Sequence, residues 1–194
     1  MIKNIIFDFG GVMIDDRSDD QVLKQLIAEL PLELQHEYKQ RLIQSELGQI
    51  PYEEVLKADK ILFPNKTYKQ CMDYFFNTKV YEPFYIAEKL LTKYQVIIFS
   101  NNHAGAPELV AKFLNIDISK FPFVNSALVG MRKPDTNFYH YLVETFKLQP
   151  SESIFIDNTL HNLAPAEQLG FKTFHYKHNT PDLVFYLKQL GIEN

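Results

Sequence analysis

Residues 4–12 read "NIIFDFGGV": a short β-branched and aromatic run that ends in one carboxylate, Asp8, followed at once by Gly10 and Gly11. A run this short and this continuously apolar suits a strand buried on both faces, as in a parallel sheet. Two later stretches repeat the pattern, "QVIIFS" at 95–100 and "SIFIDN" at 153–158, and each ends in polar residues. Helical patterns lie between and after them. They are "EPFYIAEKLLTKY" from Glu82, "APELVAKFLN" from Ala106, "PDTNFYHYLVETFKL" from Pro134 and "NLAPAEQLG" from Asn162, the last leading into "FKTFHY". Strand alternating with helix predicts an α/β fold, an open and mostly parallel sheet with helices on both faces.

Residues 16–78 break that alternation. They read as amphipathic helices, "DDQVLKQLIAEL", "PLELQHEYKQRLIQSEL", "PYEEVLKADKILF" and "TYKQCMDYFFN", punctuated by Pro31, Gly48, Pro51 and Pro64. A helical insert is expected there, its aromatic residues serving as core. The chain has 194 residues, 46% of them apolar, enough for one domain with an insert. A formal net charge of −4 argues against a broad face for nucleic acid. The single cysteine, Cys71, excludes an intramolecular disulfide, and no run is long and apolar enough to span a bilayer. The first apolar run is broken by Asp8, so no signal peptide is read, and a cytoplasmic location is expected.

In an open parallel sheet, ligands bind beyond the carboxyl ends of the strands. The residues ending the apolar runs should therefore meet in one cleft: Asp8, then Ser100, Asn101 and Asn102, then Asp157 and Asn158. The loop "GMRKPD" at 130–135 adds Lys133 just ahead of a helix, with Arg132 read as a surface residue. Two carboxylates, a hydroxyl and a lysine suit metal-assisted phosphoryl transfer, because the transferred group is anionic and needs compensation. A carboxylate such as Asp8 is ordinarily ionised at neutral pH and can divide hydrolysis into two displacements.

The four motifs "FDFGGVMID", "VIIFSNN", "GMRKPD" and "SIFIDNTLHNLAPAEQLGF", in this order over essentially the whole chain, resemble those of the haloacid dehalogenase superfamily of hydrolases. The resemblance implies a Rossmann-like core at 1–15 and 79–194, with 16–78 as an α-helical cap inserted after the first strand. It implies an Mg²⁺-dependent phosphatase acting on a small phosphorylated metabolite through an aspartyl-phosphate. Asp8 matches the nucleophile. Ser100 matches the hydroxyl that holds a phosphate oxygen, with the side chain or backbone amide of Asn101 beside it. Lys133 matches the cation that neutralises nucleophile and phosphoryl group. Asp8, Asp157 and the main-chain carbonyl of Gly10 match the metal ligands.

Two positions depart from the resemblance. Many phosphatases of this superfamily carry, two residues after the nucleophile, an aspartate that protonates the leaving alcohol; here that position is Gly10. A second acid often follows the one matched by Asp157; here it is Asn158, which supplies no charge. The "GGV" form resembles a branch of sugar-phosphate phosphatases. A loop without the acid should favour leaving groups that are stable unprotonated. His103, Asp15 and Asp16 are candidate substitutes. Two other readings stand beside the phosphatase: a metal-independent dehalogenase, against which Asp157 argues, and a catalytically silent phospholigand-binding protein.

Overall fold

The structure is a computed structural model that describes residues 1–16, 21–52, 54, 55, 65, 70 and 79–193. Five parallel strands form one sheet: β1 Asn4–Phe7, β2 Gln95–Ser100, β3 Phe123–Asn125, β4 Ser153–Asp157 and β5 Lys172–His175, in the order β3-β2-β1-β4-β5. The order runs outward from β1 through β2 to β3, then returns to β1's other side with β4. That reversal creates a crevice at the carboxyl end of β1, the usual ligand position in such sheets.

The apolar runs are continuous because both faces of the sheet are covered. Alternate residues Ile5, Phe7, Val96, Ile98, Ile154 and Ile156 join one buried cluster. Helices α3 (Glu82–Leu90), α4 (Ala106–Leu114) and α8 (Thr180–Gln189) contribute Phe84, Leu90, Val110, Leu183 and Leu187 to it. The intervening residues Ile6, Ile97, Phe99, Val124 and Phe155 join a second cluster. There α6 (Thr136–Phe146) and α7 (Leu160–Gln168) supply Phe138, Tyr139, Leu142, Leu163 and Ala166. A strand's period of two sends successive side chains to opposite cores.

Register then sets the site. Phe7 stands opposite Ile98 on β2 and Ile156 on β4, so Asp8 comes level with Phe99 and Asp157. The Asp8 N–H donates to Ile156 O at 2.9 Å, carrying the ladder one residue past the strand.

The expected helical insert follows β1, with α1 at Gln21–Glu29 and α2 at Leu32–Glu46. Ile14 pairs antiparallel with Val80, and the Asp15 N–H donates to Lys79 O at 2.9 Å, so the chain's exit from the sheet and its return stand side by side. The expected helices "PYEEVLKADKILF" and "TYKQCMDYFFN", and Cys71, lie largely or wholly outside the described residues. β3, α5 (Ser126–Val129) and α8 have no counterpart in the sequence reading. β3 is three residues long, too short for a periodic signal, and it continues directly into the four-residue α5. Helix α8 is announced only by Pro181 in its first turn. Among the described residues no helix is long and apolar enough to cross a membrane.

Candidate active site

Lys133 is the centre of the site. It is 1% exposed, and its Nζ lies 2.7 Å from Asp157 Oδ2, 3.0 Å from Asp8 Oδ2 and 3.0 Å from Phe99 O. These three acceptors are the level row set by the register of β1, β2 and β4. The ammonium also sits 5.5 and 5.3 Å from the ring centroids of Phe99 and Phe155, a favourable place for a cation. Burial would lower the lysine's pKa, but the negative charges of Asp157 and Asp8 outweigh it and the pKa is raised. Lys133 therefore holds its proton.

Asn101 fixes the loop that carries this lysine. Its Oδ1 accepts the Lys133 N–H at 2.7 Å, and its Nδ2 donates to Lys133 O at 2.9 Å. The side chain of Asn101 is thus committed to the lysine's backbone, which leaves only its backbone amide for a ligand. Ser100, the last residue of β2, is buried and paired in register with Asn125. Asn102 is held through Ser126, whose Oγ accepts the Asn102 N–H at 3.0 Å.

The two carboxylates differ in their surroundings. Asp157 is fully buried and accepts from Thr159 N–H at 2.7 Å, from Asn162 Nδ2 at 3.1 Å and from Lys133. Asp8 accepts from the Phe9 N–H at 2.7 Å and from Lys133. Burial raises the Asp8 pKa far above the carboxylate range; Lys133 opposes the shift and Asp157 adds to it. This corrects the expectation that Asp8 is ionised at neutral pH without help. With both carboxylates ionised, one ammonium would face two negative charges and the cluster would be one positive charge short, and its donors are hard oxygens of the kind Mg²⁺ takes. Among the described residues no group of three His, Cys, Asp or Glu side chains gathers as a metal site, so a cation here would rely on the carboxylates and main-chain oxygen.

The two glycines stand where they do for different reasons. Gly11 has φ +73°, a conformation that favours glycine, and a Cβ on it would fall 2.2 Å from Asn158 Nδ2. Asn158 therefore packs on the first loop. Gly10 lies outside the positive-φ region, and a Cβ there would meet Asp16 Oδ2 at 2.8 Å.

Two sequence expectations need correction. Arg132 is not a free surface residue: its Nε and Nη2 each lie 2.8 Å from Glu46 Oε2, tying the lysine loop to the end of α2. His103, a candidate substitute for the missing acid, is held uncharged at neutral pH. It is stacked on Tyr52 with ring centroids 4.5 Å apart, its Nδ1 is buried with no hydrogen-bond partner among the described residues, and burial lowers its pKa to about 4. Asn162 and Ser126 were missed by sequence reasoning. The one available signal for Asn162 was its place in the first turn of the helix that follows the strand-end acid.

The model of the haloacid dehalogenase-like hydrolases matches residues 2–170. The chain belongs to this family. Like other haloacid dehalogenase-like proteins it is a hydrolase by family. A D-ribitol-5-phosphate phosphatase from Bacteroides thetaiotaomicron is 26% identical over 90% of this chain and 91% of its own length. Among solved structures, a predicted haloacid dehalogenase-like hydrolase from Porphyromonas gingivalis superposes with a TM-score of 0.73 at 23% identity, covering 100% of both chains. A family enzyme from B. thetaiotaomicron, crystallised with magnesium and inorganic phosphate, superposes with a TM-score of 0.70 at 23% identity over 92% of this chain and 96% of that one. At such identities the structural likeness is one of fold.

Proposed function

We propose that this hydrolase is an Mg²⁺-dependent phosphatase for a small phosphorylated metabolite of the polyol- or sugar-phosphate class, with Asp8 as nucleophile. The observation that carries the reading is the buried Lys133 ammonium bridging Asp8 and Asp157 at the switch point of the sheet. A lysine so placed neutralises charge at the reacting carboxylate and beside an incoming phosphoryl group. The ribitol-phosphate phosphatase, alike along nearly its whole length, supports the substrate class.

In this reading Asp8 bonds to phosphorus, and Lys133 stays charged through the cycle. The hydroxyl of Ser100 and the backbone amide of Asn101 hold phosphate oxygens, while the Asn101 side chain positions the lysine. Asp8, Asp157 and the carbonyl of Gly10 are the residues that would hold Mg²⁺, which the charge deficit and hard oxygen donors of the site suit. Bound there, the ion supplies positive charge against the phosphoryl oxygens. Residues 16–78 form the cap that covers this end of the sheet and selects the substrate.

The test is product release from a panel of polyol, sugar, aryl and acyl phosphates and of 2-halo acids, each with Mg²⁺ and with a chelator. Phosphate release that requires the metal is the expected result. Halide release without metal would replace the reading with a dehalogenase. Tight phosphate-ester binding with no turnover of any substrate would replace it with a silent binding protein.

A further inference from the structure

Lys133 reaches its two carboxylates from a loop, residues 130–135, that contains neither helix nor strand. Few bonds tie that loop to the core. The Gly130 N–H donates to Ser126 O at 2.8 Å, the Asp135 N–H donates to Arg132 O at 2.9 Å, and the Asn101 side chain pairs with the backbone of Lys133. Arg132, one residue before the lysine, is held from the helical insert instead. Its Nε and Nη2 each lie 2.8 Å from Oε2 of Glu46, the last residue of α2.

The same end of α2 meets the core a second time, through backbone. Gly48 follows the helix, its N–H donating to Ser45 O at 3.0 Å and its φ at +69°. A Cβ on Gly48 would fall 2.2 Å from Ala127 O in α5, so the two backbones touch with no room for a side chain. Helix α5 leads into Gly130 and so into the lysine loop. The insert thus presses on the approach to the loop at Ala127 and grips the loop itself at Arg132. The side chains of Arg132 and Glu46 are 30% and 20% exposed, so the pair is partly withdrawn from water, where losing one partner leaves the other poorly solvated. Burial raises the Glu46 pKa and Arg132 opposes the shift; the Lys133 charge acts on the same carboxylate, so Glu46 is within electrostatic reach of the site.

Resting on the phosphatase reading, we propose that Arg132 and Glu46 are positioning residues, a brace through which the docked insert holds the lysine loop so that the Lys133 ammonium stands between Asp8 and Asp157. The pair acts through the backbone of the residue that follows Arg132. Without it the loop keeps Asn101 as its one side-chain anchor at the lysine, and a displacement of about 1 Å at a reacting group can cost about 10²-fold in rate. The insert and the chemistry are thereby joined. An insert lifted from the sheet gives up both the Arg132 and the Ala127 contacts, so the lysine is fully placed only when the insert is down.

The experiment measures single-turnover rates of the full chain at saturating Mg²⁺ on D-ribitol 5-phosphate and on acetyl phosphate, whose small acyl group offers the insert little to hold. Arg132→Ala and Glu46→Ala are each expected to slow both substrates by about 10–10²-fold. The double variant should be no slower than the slower single one, because the two residues act as a unit. Arg132→Lys, which keeps one charged donor for the Glu46 oxygen, should recover most of the loss. A second readout needs no turnover: in the metal-free protein the buried Lys133 ammonium should give an exchange-protected nitrogen NMR signal at Nζ, which Arg132→Ala shifts or abolishes. Should Arg132→Ala prove unfolded, Glu46→Gln, similar in shape and uncharged, carries the same two readouts. Wild-type rates with a lowered melting temperature would reduce the pair to a structural tie and overturn the proposal. A loss confined to ribitol phosphate, with a raised KM, would overturn it in favour of substrate selection alone. An unmoved Lys133 signal would overturn it as well. A wild-type protein inert on every phosphate would sink the phosphatase reading, and the Lys133 signal would still decide whether the brace places the lysine.

Discussion

The loops after β1 and β4 both begin with a carboxylate at the same level of the sheet, and both carboxylates hold the same ammonium, yet one acid is far more fully hydrogen-bonded than the other. Asp157 is bound by a backbone N–H, by Asn162 and by Lys133, with no exposed surface. Asp8 accepts from one backbone N–H and the lysine, and the chain beyond it runs through two glycines. A carboxylate held by that many donors is fixed in place, as a metal-holding acid must be. One that is desolvated and short of positive charge, as Asp8 is, suits the role of nucleophile proposed for it.

Substituting each acid in turn tests this contrast where the expected effect is largest. Asp8→Asn should lower turnover by on the order of 10⁴-fold or more, because an amide does not form the phosphoryl ester. The same change should leave the metal-free protein at least as stable as wild type at neutral pH, since it removes a poorly compensated buried acid. Asp157→Asn should destabilise by about 3 kcal/mol or more, because the amide turns donor hydrogens toward Lys133 and the Thr159 N–H. Urea unfolding of the two variants, beside their turnover, checks both halves. Equal destabilisation by the two changes would break the contrast.

The glycines sharpen the same comparison on the smaller scale of the loop itself. Gly11→Ala forces a side chain into a left-handed conformation and against Asn158, so about 2–4 kcal/mol of stability should be lost. Gly10→Ala meets Oδ2, Cγ and Cβ of the exposed Asp16, a side chain that can shift, and its cost should stay near about 1 kcal/mol. Thermal unfolding distinguishes them; similar costs would mean that the two glycines serve one purpose.

The sequence made some of this legible and hid the rest for physical reasons. Strands β1, β2 and β4 announce themselves because a strand buried on both faces must be apolar throughout, and their polar ends point to Asp8, Ser100 and Asp157. Lys133 is legible only through its loop, since nothing local says that its stem crosses a core to reach two acids. Pairings between distant residues stay hidden. Arg132 meets Glu46 across 86 positions, and Asn162 reaches Asp157 only because helix α7 starts directly after β4. The position of Asp16 over Gly10 was equally unreadable, because it depends on Ile14 pairing with Val80 far along the chain. The surroundings of His103 were hidden on the same account: its ring stacks on Tyr52, which the sequence places in the insert.

His103 extends the comparison to a third strand end, the one after β2, and carries the smallest expected effect. This loop resembles the locked β4 loop: Asn101 binds the lysine backbone, Ser126 holds Asn102, and the His103 N–H donates to Asn102 Oδ1 at 2.9 Å. One atom breaks the pattern, the buried Nδ1. Burial lowers the His103 pKa from 6.5 to about 4, so between those values the unfolded chain binds a proton that the native chain refuses. Stability therefore rises with pH through that window and is lost as pH falls from about 6.5 toward 4. Between pH 7.5 and pH 5 the loss from this residue comes to about 2 kcal/mol. His103→Phe keeps an aromatic ring for Tyr52 and removes the titration, so the variant should lose about 2 kcal/mol less than wild type over the same interval. Paired denaturation curves at the two pH values measure the difference directly. Parallel losses in the two proteins would show that His103 is protonated where it stands, and that water reaches its ring in the β2 loop.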